Sequence, residues 1–555
     1  MKGAISIRQY TFKTVSSLEK VFPGQLKSMT EVTSGTMLKN EIHSFQMVCV
    51  LEDDSLYSNQ YSMKVESELA PYIKIYEVGK VPVTTPVNKG TADDGDYLFR
   101  EPGLAPDPLY RYTKGGFVIA NGNNCCFWIS VEPDGKIIGT WPIVIRVFDY
   151  ENNQVGQVCY ELEIIDAELP KLSIYNTAWF HGDCIASQHG VEILSDAWFD
   201  LVDMYMGVYA KFGHNLILTP VFTPPLDTNV GAERPTTQLV NVVCTNGQYS
   251  FGFDNLKRWI DLTRKNGIEF LEISHLFTQW GAKHCPKIMA TVDGECKRIF
   301  GWDTDAVSKE YEAFLDAFLP ALIQFLTAEG IMDKCLFHVS DEPHEEHREQ
   351  YAACKTLLTK HLDENCLIDA LSKYEFYTTG VVKTPVVCND HIQPFLDNPV
   401  ECLWTYYCCS QREKVANRFM AMPSHRNRVL GAQLYKYNIK GFLQWGFNFW
   451  YSTRSQRVIN PYTETAANDT FPAGDAFVVY PKLPWLDEPT YSMRLFVFNE
   501  AMQDFRALKL LESLIGREEV LALLTELKNF DEYPRNGEFY IQLRDKINRR
   551  IQVAL

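Results

Sequence analysis

Cys335-Leu-Phe-His-Val-Ser-Asp-Glu-Pro343 places two adjacent carboxylates, Asp341 and Glu342, at the end of a short apolar run and then stops it with a proline. The run has the length and composition of a buried β-strand, and Pro343, lacking a backbone N–H, ends the ladder. The dipeptide alone carries little weight. Asp-Glu occurs four times, the other copies starting at 363, 487 and 531 in polar or helix-flanking sequence, and only the copy at 341 closes an apolar run.

Around this strand the chain alternates. Further apolar runs lie at 173–180, 215–219, 269–273, 366–369, 386–388, 402–406 and 441–447. Stretches with a 3.6-residue apolar period lie between several of them, at 197–212, 255–266, 306–328, 345–361 and 412–422. Together with 335–339 this makes eight strands alternating with helices, the pattern of a (β/α)8 TIM-like barrel, expected over 168–488. The helices between the fifth and seventh strands are hard to see, so irregularity is expected there. Residues 239–251 contain Asn246-Gly247 between two β-type runs and predict a hairpin inserted after the second strand.

Upstream, residues 1–167 show short β-type runs at 41–51, 72–78, 116–131, 141–150 and 157–165, with an Asp-, Gly- and Pro-rich segment at 91–112 expected to be a loop. This predicts an N-terminal antiparallel β-sandwich. Downstream, 489–555 is helical, with segments at 493–515, 518–528 and 541–553. The fold class expected is multidomain α/β.

The 555 residues carry a formal charge of -17, from 70 acidic and 53 basic side chains. Such a field repels nucleic acid and anionic lipid, so neither is an expected partner. Residues 1–18 hold no continuous apolar segment of the signal-peptide kind, and no run is long enough to span a bilayer. Fifteen irregularly spaced cysteines, with vicinal pairs at Cys125-Cys126 and Cys408-Cys409, fit a reducing compartment, and a cytoplasmic location is expected.

Barrel active sites form at the C-terminal ends of the strands, where Asp341 and Glu342 fall. A structural role is the alternative, with Asp341 capping the helix that begins near Glu345 and Glu346. Side chains of consecutive residues diverge, so the pair is badly placed to flank a sugar as opposed nucleophile and acid. It suits a route in which the 2-acetamido group of the substrate attacks the anomeric carbon. Glu342, the longer, is then the general acid/base with its pKa raised by burial. Asp341 stays ionised beneath the acetamide. A protein nucleophile, with Glu272 as partner to Glu342, is the competing arrangement, and a non-catalytic carbohydrate-binding protein is the competing class.

Sugars stack on aromatic rings, and the late strands are rich in them. Trp404, Tyr406 and Trp445 with Asn448 are the first candidates for a substrate wall, and Tyr435 follows. Asn215, next to His214, and His275 come from earlier strands, and Asp475 precedes an apolar run; each could bond a hydroxyl. No metal is expected, because His344 and His347 are spaced i, i+3 and no Cys-x-x-Cys pair is present. The sequence has no P-loop and no strand-linked GxGxxG, so no nucleotide cofactor is expected.

The segment His338-Val-Ser-Asp-Glu-Pro343, followed by Gly441-Phe-Leu-Gln-Trp-Gly-Phe-Asn-Phe-Trp450, Gly474-Asp-Ala-Phe-Val-Val-Tyr-Pro481 and Ser492-Met-Arg-Leu495, resembles glycoside hydrolase family 123 and its DUF4091 relatives. The resemblance is strongest over 335–510. It implies a retaining exo-β-N-acetylgalactosaminidase acting by substrate assistance on glycans with terminal β-linked GalNAc. Asp341 matches the residue that stabilises the acetamide, and Glu342 the acid/base. GalNAc rather than GlcNAc rests on the resemblance alone.

Overall fold

The computed structural model describes residues 9–22, 28–52, 59–113, 115–119 and 125–555. Residues 1–8 of the N-terminal segment and 120–124 of the run expected at 116–131 lie outside the described residues. The fold is mixed α/β and multidomain. Two compact units emerge, one of 1–171, 416–436 and 482–555, the other of 172–415 and 437–481.

In the first unit one set of strands runs, in spatial order, Gln9–Ser16, His43–Glu52, Cys125–Val131, Ile73–Val83, Gly103–Arg111 and Thr490–Ser492. A five-stranded sheet orders Ser34–Leu38, Gln154–Ile165, Gly139–Phe148, Asn59–Glu66 and Phe117–Ile119. Ladders are antiparallel except where Ser34–Leu38 pairs parallel to Gln154–Ile165. Period-two alternation buries Ile143, Ile145 and Val147 of one sheet in a cluster with Phe45, Met47, Phe127 and Ile129 of the other. Trp128, on the opposite side of its strand, packs on Phe496 of helix Met493–Ile515 at 5.3 Å between ring centroids.

The expectation of a loop over 91–112 is corrected, because Gly103–Arg111 is a strand. Pro106 and Pro108 argue for a loop locally, yet the segment pairs with Ile73–Val83 around a bulge between Val78 and Lys80. Its Asp107 is buried in a bidentate ion pair with Arg494 at 2.8 and 2.9 Å. Both partners are distant in sequence, so neither shows in the local pattern.

The second unit holds eight short parallel strands: β1 (Tyr175–Ala178), β2 (Leu216–Thr219), β3 (Phe270–Ile273), β4 (Cys335–Phe337), β5 (Ile368–Leu371), β6 (Thr384–Cys388), β7 (Trp404–Tyr406) and β8 (Gly441–Gln444). They form two sheets, ordered β1-β8-β7-β6-β5 and β2-β3-β4. A bridge from Phe337 to Leu367 links β4 to the approach to β5. Hydrogen bonds from the Asn215 N–H to the Asn176 carbonyl (3.1 Å) and from the Asn176 N–H to Asn215 Oδ1 (2.8 Å) link β1 to β2. Alternate residues Leu216, Leu218, Ile368, Ala370, Val386, Cys388, Trp404, Tyr406 and Leu443 meet in one apolar cluster.

Helices lie between the strands as the spacing predicts. Asp196–Lys211 and Lys309–Ala328 are capped by Ser195 and Ser308, whose hydroxyls accept the N–H of Trp198 and Tyr311. Between β5 and β7 only Glu375–Thr378 and Gln393–Asp397 are found, which is the irregularity expected. The helix expected at 412–422 is absent; that stretch is turns, and the helix is His425–Lys436. Pro423 and Ser424 precede this helix, and their carbonyls accept the N–H groups of Arg426 and Arg428.

The hairpin after β2 is Asn241–Thr245 and Gln248–Gly252, turning on Asn246 and Gly247 at φ 50° and 78°. A second hairpin, Ile288–Val292 with Glu295–Phe300, completes a four-stranded sheet with it. Among the described residues no helix is long and apolar enough to cross a membrane.

Gly446, just beyond β8, has no room for a Cβ, which would run into the Ala476 carbonyl. The backbone cannot yield as a side chain can. Gly446→Ala is therefore expected to cost roughly 1–3 kcal/mol and to lower Tm in thermal unfolding. An unchanged Tm would contradict this packing.

Candidate active site

β4 ends at Phe337, so His338 to Glu342 form a loop rather than the last residues of the strand. The loop is gripped from several sides. His338, 1% exposed, sets Nε2 2.6 Å from Glu272 Oε1 on β3 and Nδ1 3.3 Å from Asp369 Oδ1 on β5. Burial alone would strip the imidazole of its proton. The hydrogen bonds to Asp369 and Glu272 and the charges they carry outweigh that and hold its pKa at about 10. His338 is thus an imidazolium between two buried carboxylates.

Asp369 also accepts the N–H groups of Val339 (3.3 Å) and Ser340 (3.2 Å) and the Tyr351 hydroxyl. The Ser340 hydroxyl donates to the Thr278 carbonyl at 2.8 Å, and the Trp280 N–H donates to the Asp341 carbonyl at 3.0 Å. Glu342 follows at φ 44°, in the left-handed region, a conformation that costs on the order of 1–3 kcal/mol and persists only where neighbours impose it. Its Oε1 accepts the Tyr406 hydroxyl of β7 at 2.6 Å.

Asp341, Glu342 and Tyr406 line a cavity of about 110 Å³ together with Trp179, Trp445 and Phe471. Trp445 is held by its indole N–H, which donates to Asp475 Oδ2 at 2.9 Å, and its ring meets Phe471 edge-on at 5.2 Å. The cavity thus combines three carboxyl groups, Asp341, Glu342 and Asp227, with aromatic walls, a composition suited to a pyranose. Where the sequence suggests an ionised Asp341, burial and then the charge on Glu342 push its carboxyl well above the ordinary range, against the pull of His338. A larger cavity, of about 400 Å³, lies in the first unit. It is lined by Arg428, Arg544, Glu41 and Glu500, whose charges pair with one another there or with Asp504.

Of the residues expected at a substrate wall, the structure brings Tyr406 and Trp445 to the carboxylates and places Asp475 behind Trp445 as its anchor. Five others lie elsewhere. Trp404 starts β7 and is fully buried, stacked on Tyr175 at 5.0 Å, because side chains two apart on one strand face share a direction but not a depth. Asn448 is buried and bonds both ways to the His181 backbone, tying the segments after β1 and β8 together. Asn215 precedes β2, at the opposite strand end from the carboxylates, and joins it to β1, with His214 bonded to the Tyr209 carbonyl. Tyr435 belongs to helix His425–Lys436 in the first unit, beneath the Arg517 guanidinium at 4.9 Å, so its place in a late strand is corrected.

His275 is 1% exposed and lies flat on His338, centroids 4.1 Å apart, without reaching the cavity. Burial, and then the charge on His338, push its pKa well below 6.5. It is the neutral neighbour of the imidazolium. Glu272, considered as a nucleophile, is fully buried with both oxygens engaged. Thr177 Oγ1 donates to Oε2 at 2.5 Å, and the Trp179 indole (2.7 Å) and His338 donate to Oε1.

Cavity residues that sequence reasoning missed include Trp179, Asp227, Gln279, Trp280 and Phe471. Trp179 closes the first apolar run and carried a readable signal; the rest lie in loops without pattern. Among the described residues, one group of metal-ligand type is present, Cys388, Asp390 and His391, with ligand atoms within 4.8 Å of one another. His338, His344 and His347 do not form one.

The sequence profile of the glycoside hydrolase 123 catalytic domain matches residues 179–511. Among solved structures, a family 123 glycoside hydrolase from Clostridium perfringens, analysed for glycolipid glycan hydrolysis, aligns with a TM-score of 0.74 at 14% identity over 98% of each chain. At that identity the likeness shows the fold. A β-glucuronidase from Parabacteroides merdae aligns over 88% of this chain and 51% of its own at 10% identity, and its TM-score of 0.31 carries no argument. No curated protein sequence matches the chain. The profile covers more than half of the residues and includes both carboxylates and the walls of their cavity, and the chain belongs to glycoside hydrolase family 123.

Proposed function

We propose that the protein is a retaining exo-glycosidase that releases terminal β-linked N-acetylgalactosamine, with the substrate's own acetamide as nucleophile. The observation that carries this reading is the state of Glu272. A protein nucleophile must present a free oxygen to the anomeric carbon, and both Glu272 oxygens are bonded and shut away. The carboxyl groups left beside the aromatic walls are the adjacent pair Asp341 and Glu342 and, on the loop after β2, Asp227, whose Oδ2 is taken up by the Arg454 N–H. The two parallel sheets are read as one (β/α)8 barrel with the pair at its C-terminal end, and the sheets of the first unit as a β-sandwich. The fifteen free cysteines suit a reducing, cytoplasmic setting.

The roles follow from the environment. Adjacent carboxyl groups resist a second negative charge, so one proton resides on the pair. An acetamide N–H donating to Asp341 favours the ionised form there and leaves the proton on Glu342. The acetamide oxygen attacks C1, the bond from C1 to the leaving oxygen breaks, and that oxygen takes the proton of Glu342. The Glu342 carboxylate then removes a proton from water as it attacks C1 and reopens the oxazolinium ring. Two inversions give retention. Tyr406 steers Glu342 towards the leaving oxygen. GalNAc is carried by family membership, and the relative's action on glycolipid glycans makes such glycans the first substrates to try.

A panel of aryl β-glycosides of GalNAc, GlcNAc and galactose tests the assignment. Turnover is expected only with the acetamido sugars, best with GalNAc, and Asp341→Asn and Glu342→Gln are expected to lose roughly 10²–10⁴ in kcat. Cleavage of the plain galactoside with Asp341→Asn unimpaired would contradict it.

The charge on His338 gives a second test. Its folded pKa of about 10 lies above the ordinary 6.5, so the protonated ring contributes stability that is complete below about pH 6.5 and lost as pH rises through 10. The deficit of His338→Gln relative to wild type in denaturant unfolding is expected to shrink over that window. A deficit that grows with pH would contradict a buried imidazolium.

A further inference from the structure

Gln279 and Asp227 meet in the cavity wall, on the loops after β3 and β2. The Asp227 N–H donates to Gln279 Oε1 at 2.8 Å. Because the partner is a donor, the amide has only one satisfying orientation, with its nitrogen on the other side. Gln279 is 4% exposed, lines the cavity, and its Nε2 has no hydrogen-bond partner. An unpartnered amide nitrogen on a residue of the cavity wall is a strong recognition element, since a buried donor left unmade costs more than a bond exchanged with water.

Asp227 supplies the complement. Its Oδ2 accepts the Arg454 N–H at 2.7 Å, while Oδ1 has no protein partner among the described residues. The residue sits at φ 40° and is pinned by the Ser455 hydroxyl, which donates to its carbonyl at 2.8 Å. Burial raises its carboxyl to about 6, so near neutral pH it is chiefly an acceptor. Gln279 is also fixed relative to the carboxylate pair, because the next residue, Trp280, donates its N–H to the Asp341 carbonyl.

We propose that Gln279 and Asp227 form a hydroxyl-recognition pair for the sugar held beside Asp341 and Glu342. Gln279 Nε2 donates to a ring hydroxyl oxygen, and Asp227 Oδ1 accepts the O–H of that hydroxyl or its neighbour. A fixed donor beside a fixed acceptor matches the hydroxyl edge of a pyranose and discriminates between epimers. The inference rests on the reading that this cavity receives the terminal sugar.

The test pairs substitution with deoxygenation. Gln279→Glu keeps the acceptor for the Asp227 N–H and removes the donor, and Gln279→Met removes both. Each variant of the full-length protein, and Asp227→Asn, is assayed for kcat/KM on an aryl 2-acetamido-2-deoxyglycoside and its 3-, 4- and 6-deoxy analogues. The free sugars are titrated in parallel by calorimetry. Wild type is expected to lose roughly 10- to 100-fold on one or two of the deoxy compounds. Gln279→Glu is expected to lose a similar factor on the parent and little more on those same analogues. Losses equal for the parent and every analogue would overturn the pairing, as would no loss at all. If no glycoside is turned over but the calorimetric cycle shows the same coupling, the pairing stands and the proposed reaction falls.

Discussion

The imidazolium of His338, wedged between Glu272 and Asp369, is the contact on which the rest of the site depends. Two fully buried carboxylates on the strands either side of β4 are tolerable only with a cation between them, and removing one partner from such a buried set typically costs about 3–5 kcal/mol. The triad joins β3, β4 and β5 through side chains, across a seam where β4 is paired with β3 but meets the approach to β5 only by a single bridge. Asp369 then turns its remaining capacity on the N–H groups of Val339 and Ser340. The loop that presents Asp341 and Glu342 is therefore positioned by charge as much as by backbone pairing.

From this anchor follows the shape of the carboxylate pair. The chain leaves the triad, is caught by Thr278 and Trp280, and enters the left-handed conformation at Glu342. Strain of that kind is kept where surrounding bonds over-determine the backbone, and here it turns Glu342 towards the Tyr406 hydroxyl. Asp341 and Glu342 thereby reach one cavity despite the alternation that would send consecutive strand residues apart. The charge on His338 also bears on Asp341, favouring its ionised form against burial and against Glu342.

What could be read from the sequence divides along the same physical line. Apolar runs and 3.6-residue periods are local, and all eight parallel strands and helix Met493–Ile515 were legible from them. The carboxylates were legible because Pro343 marks the end of an apolar run. Features set by distant partners were not. The strand Gly103–Arg111 looks like a loop until Arg494 is beside Asp107, and the role of Glu272 needs Thr177, Trp179 and His338 in place. Aromatic richness misled for a related reason: Trp404 and Tyr406 share a strand face, yet only the one nearer the C-terminal end reaches the cavity. Asn215 and Asn448 look like hydroxyl ligands by type, but each is tied to backbone through both its oxygen and its nitrogen, and neither lines the cavity. Gln279 differs from them in lining the cavity and in having an amide nitrogen without a partner.

The central claim is that the nucleophile belongs to the substrate. The most direct measurement is intact mass of the protein quenched during turnover of a fast aryl 2-acetamido-glycoside, alongside titration with the thiazoline analogue of the same sugar. The account predicts no glycosyl adduct on the chain and tight thiazoline binding that weakens in Asp341→Asn. A glycosyl ester accumulating on any carboxylate of the protein would contradict it.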